Sequence, residues 1–115
     1  MNDKVIVVPE SDIPMREVPW GRTKVLVGKG EKAESSGFMF KITEYMPGHS
    51  HEGHTHTQDE VIFVLSGRGI TELAEGKREV VPGDLVFVPA HVRHAIYNSN
   101  AEPLRAVIVK SPPDA

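Results

Sequence analysis

Short runs of β-branched and aromatic residues, cut by glycine and proline turns at intervals of about 8–12 residues, set the pattern of this chain. KVIVV (4–8) and RTKVLVG (22–28) come first, separated by PESDIPMREVPWG, whose prolines predict a segment wrapped over the surface. EKAESS (31–36) is a polar connection, and GFMFKITEYM (37–46) is the first long strand, stopped by Pro47-Gly48. Strands are expected next at EVIFVLS (60–66), ITELAE (70–75), REVV (78–81), LVFVPA (85–90), HAIYN (94–98) and LRAVIVK (104–110). Turns fall between them at GRG (67–69), Gly76-Lys77 and Pro82-Gly83-Asp84, and SPPDA (111–115) is expected to fray. No window carries the 3.6-residue period of an amphipathic helix. The expectation is one all-β domain over 1–115, a sandwich or barrel. N-terminal strands and a wrapping segment occupy 1–36, and the barrel proper 37–110.

Several strands are apolar on both faces. In EVIFVLS, Ile62 and Val64 share a side with Glu60, while Val61, Phe63 and Leu65 point the other way; LVFV and AVIVK behave alike. A small barrel encloses only one face of each strand, so the outer faces need cover. The N-terminal strands can supply part of it, and a second subunit the rest. A homodimer is therefore expected.

Composition narrows the function. A chain of 115 residues holds one core. A net charge of −3 without a basic run argues against nucleic acid as a partner. Cysteine is absent, which removes disulfides, thiolate metal sites and thiol nucleophiles. The opening MNDKVIVVPESD does not read as a signal peptide and no apolar run approaches a membrane span, so a cytoplasmic protein without membrane contact is expected.

Histidine carries the remaining signal. All six histidines lie between positions 49 and 94, four of them in HSHEGHTH (49–56) and the others at 91 and 94. Strand alternation puts His54, His56 and Glu60 on one side if the chain runs nearly extended between them, with His49 and His51 on the other. Two imidazoles and a carboxylate make an incomplete cage for a divalent ion, and His94, opening a later strand, is the candidate to complete it. His49 and His51 read as solvated loop residues. The alternative for His51 is a place at the pocket mouth as a proton-handling catalytic group, which suits a side chain titrating near neutrality. Gln58 is either a surface residue or a partner that fixes a ligand imidazole. His91 reads as an exposed turn residue. Trp20, Phe38, Phe40, Tyr45 and Met46 read as packing.

Residues 48–67 resemble the first signature of the cupin superfamily, with Gly48, His54, His56, Glu60 and Gly67 at its fixed positions. Residues 83–98 resemble the second, with Gly83, Pro89, His94 and Asn98 in place, and His91 where the family usually has glycine. The short stretch between them, RGITELAEGKREVVP, suits the smallest single-barrel members. The resemblance implies a double-stranded β-helix, or jelly-roll-like barrel, with His54, His56, Glu60 and His94 binding one divalent transition metal: manganese, iron, nickel or zinc. Members are similarly often dimers. It implies a small-molecule substrate, an oxygen-bearing organic compound, over a pocket floor lined by Ile62, Val64 and Ile96. Glu60 would supply the negative charge and take part in catalysis. Three kinds of activity stay open: dioxygenase-like oxidation, which is favoured, a redox-neutral isomerase, lyase or decarboxylase, and a binding barrel without turnover. Spacing does not orient Lys41, Arg68 or Arg93 toward the site.

Overall fold

The computed structural model describes residues 4–114, with 50–54 described by backbone alone. After one turn of 3₁₀ helix at Glu10–Asp12 come β1 (Arg16–Val18), β2 (Gly21–Val27), β3 (Met39–Tyr45), β4 (Ser50–His54) and β5 (Asp59–Ser66). β6 (Gly69–Leu73), β7 (Gly76–Val80), β8 (Leu85–Val88), β9 (His94–Tyr97) and β10 (Leu104–Ser111) follow. They form a six-stranded sheet ordered β1-β2-β3-β10-β5-β8 and a four-stranded sheet ordered β4-β9-β6-β7. All the strand pairs are antiparallel. This is the expected all-β, jelly-roll-like barrel. Among the described residues, no helix is long and apolar enough to cross a membrane.

Alternation decides what faces inward. In β10, Leu104, Ala106 and Ile108 are buried, and their register partners Tyr45 and Thr43 of β3 and Ile62 and Val64 of β5 are buried with them. Val80 and Ile96 close the core from the other sheet. Trp20 stacks on the buried Tyr45 at a centroid distance of 4.9 Å and packs, partly buried, against the core. Such a pair adds about 0.5–1.5 kcal/mol beyond its buried area. Polar groups on the inner face are paired: Thr23 and Thr43 share a hydroxyl hydrogen bond of 3.0 Å, and Thr71 donates to the Ala95 carbonyl at 3.1 Å. Asn98, 1% exposed, donates to the carbonyls of Tyr45 and Glu102 and accepts from the Asn100 N–H. The motif asparagine is thus a clamp between the β9 end and its neighbouring loops.

Three segments depart from the sequence pattern. Residues 5–8, expected within a strand, pair with no strand among the described residues, and Val5 and Val7 are 97% and 74% exposed. β-Branched composition favours a strand only where a neighbouring edge offers hydrogen bonds. That edge, beside β2, belongs to β1, which lies in the proline-rich wrapping segment. The same segment binds the outer face of the large sheet through Glu10. Lys24 donates to the Glu10 carbonyl at 2.8 Å, and Arg105 forms ion pairs with Glu10 and Glu44. At the other end, residues 112–114 are tied back: the Gln58 amide donates to the Pro112 carbonyl at 2.7 Å and to Asp114 at 2.8 Å.

Candidate metal centre

His56, Glu60 and His94 each offer one ligand atom within 4.8 Å of the other two. Glu60 stands near the start of β5, inward-facing and 5% exposed, and β9 opens with the buried His94. His56 lies in the connection between β4 and β5. Its Nε2 is 2.6 Å from Glu60 Oε1, and the His94 Nε2 is 3.3 Å from the same oxygen. The chain does not run extended from His54 to Glu60. It bends at Thr57 and Gln58 as it passes from the small sheet to the large one. His56 and Glu60 therefore converge across a change of sheet, not along one strand face.

The hydrogen-bond pattern favours a cation among these three groups. His56 Nδ1 lies 3.1 Å from the Gln58 carbonyl, and His94 Nδ1 lies 3.4 Å from the Val92 carbonyl. A carbonyl only accepts, so each Nδ1 carries a proton, and a neutral ring then turns the Nε2 lone pair toward Glu60. Lone pairs and a carboxylate facing one another need a positive charge between them. Two imidazole nitrogens and one carboxylate oxygen suit a divalent transition metal. Without such an ion protons meet the same need: burial alone would raise the Glu60 carboxyl, but hydrogen bonds donated by His94 and His56, then the charges of His94 and Lys110, outweigh it and hold the group at about 2. Depressed from an ordinary 4.5, Glu60 contributes stability that is present above that value and lost as pH falls through about 2.

The other histidines separate. The side chains of His51 and His54 lie outside the described residues. Backbone register sets His54 opposite His94 and His51 opposite Ile96, with a bulge between them. His49 is exposed at the opposite end of β4, where its backbone bonds Met46 and Asn98. His91 is exposed and takes φ +68°, the left-handed conformation that glycine ordinarily supplies in this turn. Its N–H donates to the His56 carbonyl at 2.7 Å, so this turn holds a residue of the cluster through the backbone. Gln58 serves in two ways: its carbonyl orients His56, and its side chain holds residues 112–114.

A cleft of about 400 Å³ opens beside His94 between β6, β8 and the 89–93 turn. Its walls include Val86, Val88, Pro89 and Val92, and Arg93 pairs with Glu72 at its edge, 2.8 Å apart. On the opposite flank of Glu60 stand two lysines that neither motif marks. Lys110 is the register partner of Glu60, with a side chain 13% exposed, and Lys41 is the partner of the inward Ile108. Burial, and then the charge of Lys110, push the Lys41 ammonium below its usual range. The signal lies in the alternation: lysines continue the inward rows Leu104-Ala106-Ile108 and Tyr45-Thr43.

A two-sheet jelly-roll barrel whose inner wall gathers two imidazoles and a carboxylate defines a class of protein, the small β-barrel with a candidate mononuclear metal centre. The model of the cupin domain family matches residues 41–110, and the chain belongs to that family. An RmlC-like cupin from Shewanella frigidimarina superposes with a TM-score of 0.80 at 18% identity, covering 97% of this chain and 95% of that one. An uncharacterised protein of Streptomyces coelicolor is 42% identical over 60 residues, 52% of this chain and 56% of its own length. Acireductone dioxygenase of Bacillus pumilus is 49% identical over 47 residues, 36% of this chain and 26% of the enzyme. The chain spans about half the length of the first of these curated relatives, and less of the second.

Proposed function

We propose that this cupin is a mononuclear metal enzyme acting on a small oxygen-bearing organic molecule, with dioxygenase-like oxidation favoured over redox-neutral chemistry. One observation carries the reading: His56, Glu60 and His94 converge, and His94 also lines a largely apolar cleft. His54 is the fourth ligand of the proposal, resting on its register position opposite His94. A divalent ion held there (manganese, iron, nickel or zinc) would supply Lewis acidity and, where redox-active, electrons for dioxygen. The protein's own part is specific. The carbonyls of Gln58 and Val92 fix both ring tautomers, Glu60 supplies the negative charge, and Val86, Val88 and Val92 keep water from the substrate. The segment shared with acireductone dioxygenase supports the oxidative choice. Protein loaded with iron or manganese should consume oxygen when given one of a panel of hydroxy acids, diketones and phenols. Equal turnover without oxygen would replace this reading with the redox-neutral one, and no turnover at all with a binding barrel.

We also propose a homodimer. Phe63 and Leu65 of β5 and Leu85 and Phe87 of β8 are 37–57% exposed on the outer face of the large sheet. Register sets Phe63 beside Leu85 and Val61 beside Phe87, a contiguous apolar surface of the kind that mediates association. A second copy presenting the same surface would cover it by two-fold symmetry. Sedimentation at micromolar concentration is expected to give the dimer mass, and Phe87→Glu the monomer. A wild-type monomer under those conditions would remove the proposal.

A further inference from the structure

We infer that Lys41 and Lys110 form an anion subsite beside the metal centre, which receives a carboxylate of the substrate and whose Lys110 side the chain's own Asp114 occupies in this structure. The inference rests on the proposed enzyme reading and adds the substrate class: a small carboxylic acid.

Strand register places both lysines. Lys110 is the cross-strand partner of Glu60, so the two side chains leave the sheet on the same inward side as neighbours. Lys41 partners Ile108, two residues before Lys110 on that same inward row. Among the described residues no carboxylate forms a salt bridge with Lys41, although the residue is half-buried. Two lysines on adjacent inward rows of one wall, one of them lacking an ion pair among the described residues, are a costly arrangement unless an anion joins them.

Asp114 shows what the subsite accepts. Its carboxylate lies 3.7 Å from the Lys110 ammonium and accepts a hydrogen bond of 2.8 Å from the Gln58 amide. Its charge also favours the protonated form of Lys41. Yet the Asp114 side chain is 52% exposed, at the rim and not in the wall, and so open to exchange. A substrate carboxylate replacing it would meet the same two donors, the Lys110 ammonium and the Gln58 amide, and could reach the Lys41 ammonium that Asp114 leaves without an ion pair. Charge points the same way. The two lysines balance Glu60 and Asp114, so a divalent ion at the centre would leave the site positive and in want of an anion.

Glycolate, with glycolamide as its uncharged counterpart, tests this by calorimetry on metal-loaded and metal-free protein. Asp114→Asn should strengthen glycolate binding several-fold by removing the internal competitor. Lys41→Met and Lys110→Met should each weaken it about tenfold, the effect of one charge-assisted contact. Lys41→Arg should restore much of the loss. Lys29→Met, the same charge change at an exposed turn, should leave binding unaltered, and glycolamide should be indifferent to every substitution. Equal losses in Lys29→Met and Lys41→Met would mean general electrostatics and overturn the inference. So would displacement of glycolate by equimolar inorganic phosphate, which would point to an unselective oxyanion site. Should the methionine variants fail to fold, Asp114→Asn decides alone, and no gain in affinity refutes the subsite. Oxygen uptake with lysine-independent glycolate binding would remove the subsite and leave the enzyme reading standing. Lysine-dependent binding without turnover would do the reverse.

Discussion

Protein carrying His56→Ala is expected to emerge from purification without stoichiometric metal, while His49→Ala retains it. His56 contributes one of the atoms gathered within 4.8 Å at the centre, and its ring is held from behind by the Gln58 carbonyl. Removing a group that merely orients a ligand costs about 10–100-fold in affinity, so loss of a ligand itself should exceed about 100-fold. His49, exposed and at the far end of β4, has no such place. His54→Ala should behave like His56→Ala, and Glu60→Gln should also lower affinity, because the amide keeps the size but removes the buried negative charge. Elemental analysis of untagged protein checks all four variants. Stoichiometric metal in His56→Ala together with its loss in His49→Ala would place the centre elsewhere in the histidine-rich segment.

Gly67→Ala should be among the most destabilising single-methyl additions available to this fold. The residue ends β5 with φ +79°, a conformation that costs an L-residue about 1–2 kcal/mol. A Cβ there would collide with the Pro103 carbonyl oxygen and lie 2.9 Å from the Leu104 Cα. Both obstacles are backbone, and Leu104 is fully buried, so the neighbour cannot move aside cheaply. Overpacking of this kind adds about 1–3 kcal/mol, giving a total of about 2–5 kcal/mol in a denaturant titration. Gly48→Ala is the comparison. It has φ +78° but open space around the new methyl, and should show only the conformational part. Equal losses at both positions would mean that the contact with Pro103 and Leu104 contributes nothing.

Glu60, His56 and His94 are legible from the two signatures alone, because each spacing corresponds to a local turn or strand that the residues themselves encode. Alternation likewise identifies the inward rows of β3, β5 and β10, since successive side chains of a strand must leave it on opposite sides. Ile62, Val64 and Ile96, expected as a pocket floor, are buried in the core instead, and the cleft beside His94 is lined by Val86, Val88, Pro89 and Val92. What alternation cannot carry is the identity of a strand's neighbours. KVIVV has strand composition but no edge to pair with, while REV inside a proline-rich segment finds one on β2. The bend at Thr57–Gln58 exists because β4 and β5 belong to different sheets, and no period within HTHTQDE records that. The place of Lys41 and Lys110 is also a matter of tertiary structure. Their inward positions are readable strand by strand, but their nearness to each other and to Glu60 depends on β10 lying between β3 and β5. Local sequence determines which side of a strand a residue occupies. Which residues then share a site is set by long-range pairing, whose hydrogen bonds and packing form only when distant segments meet.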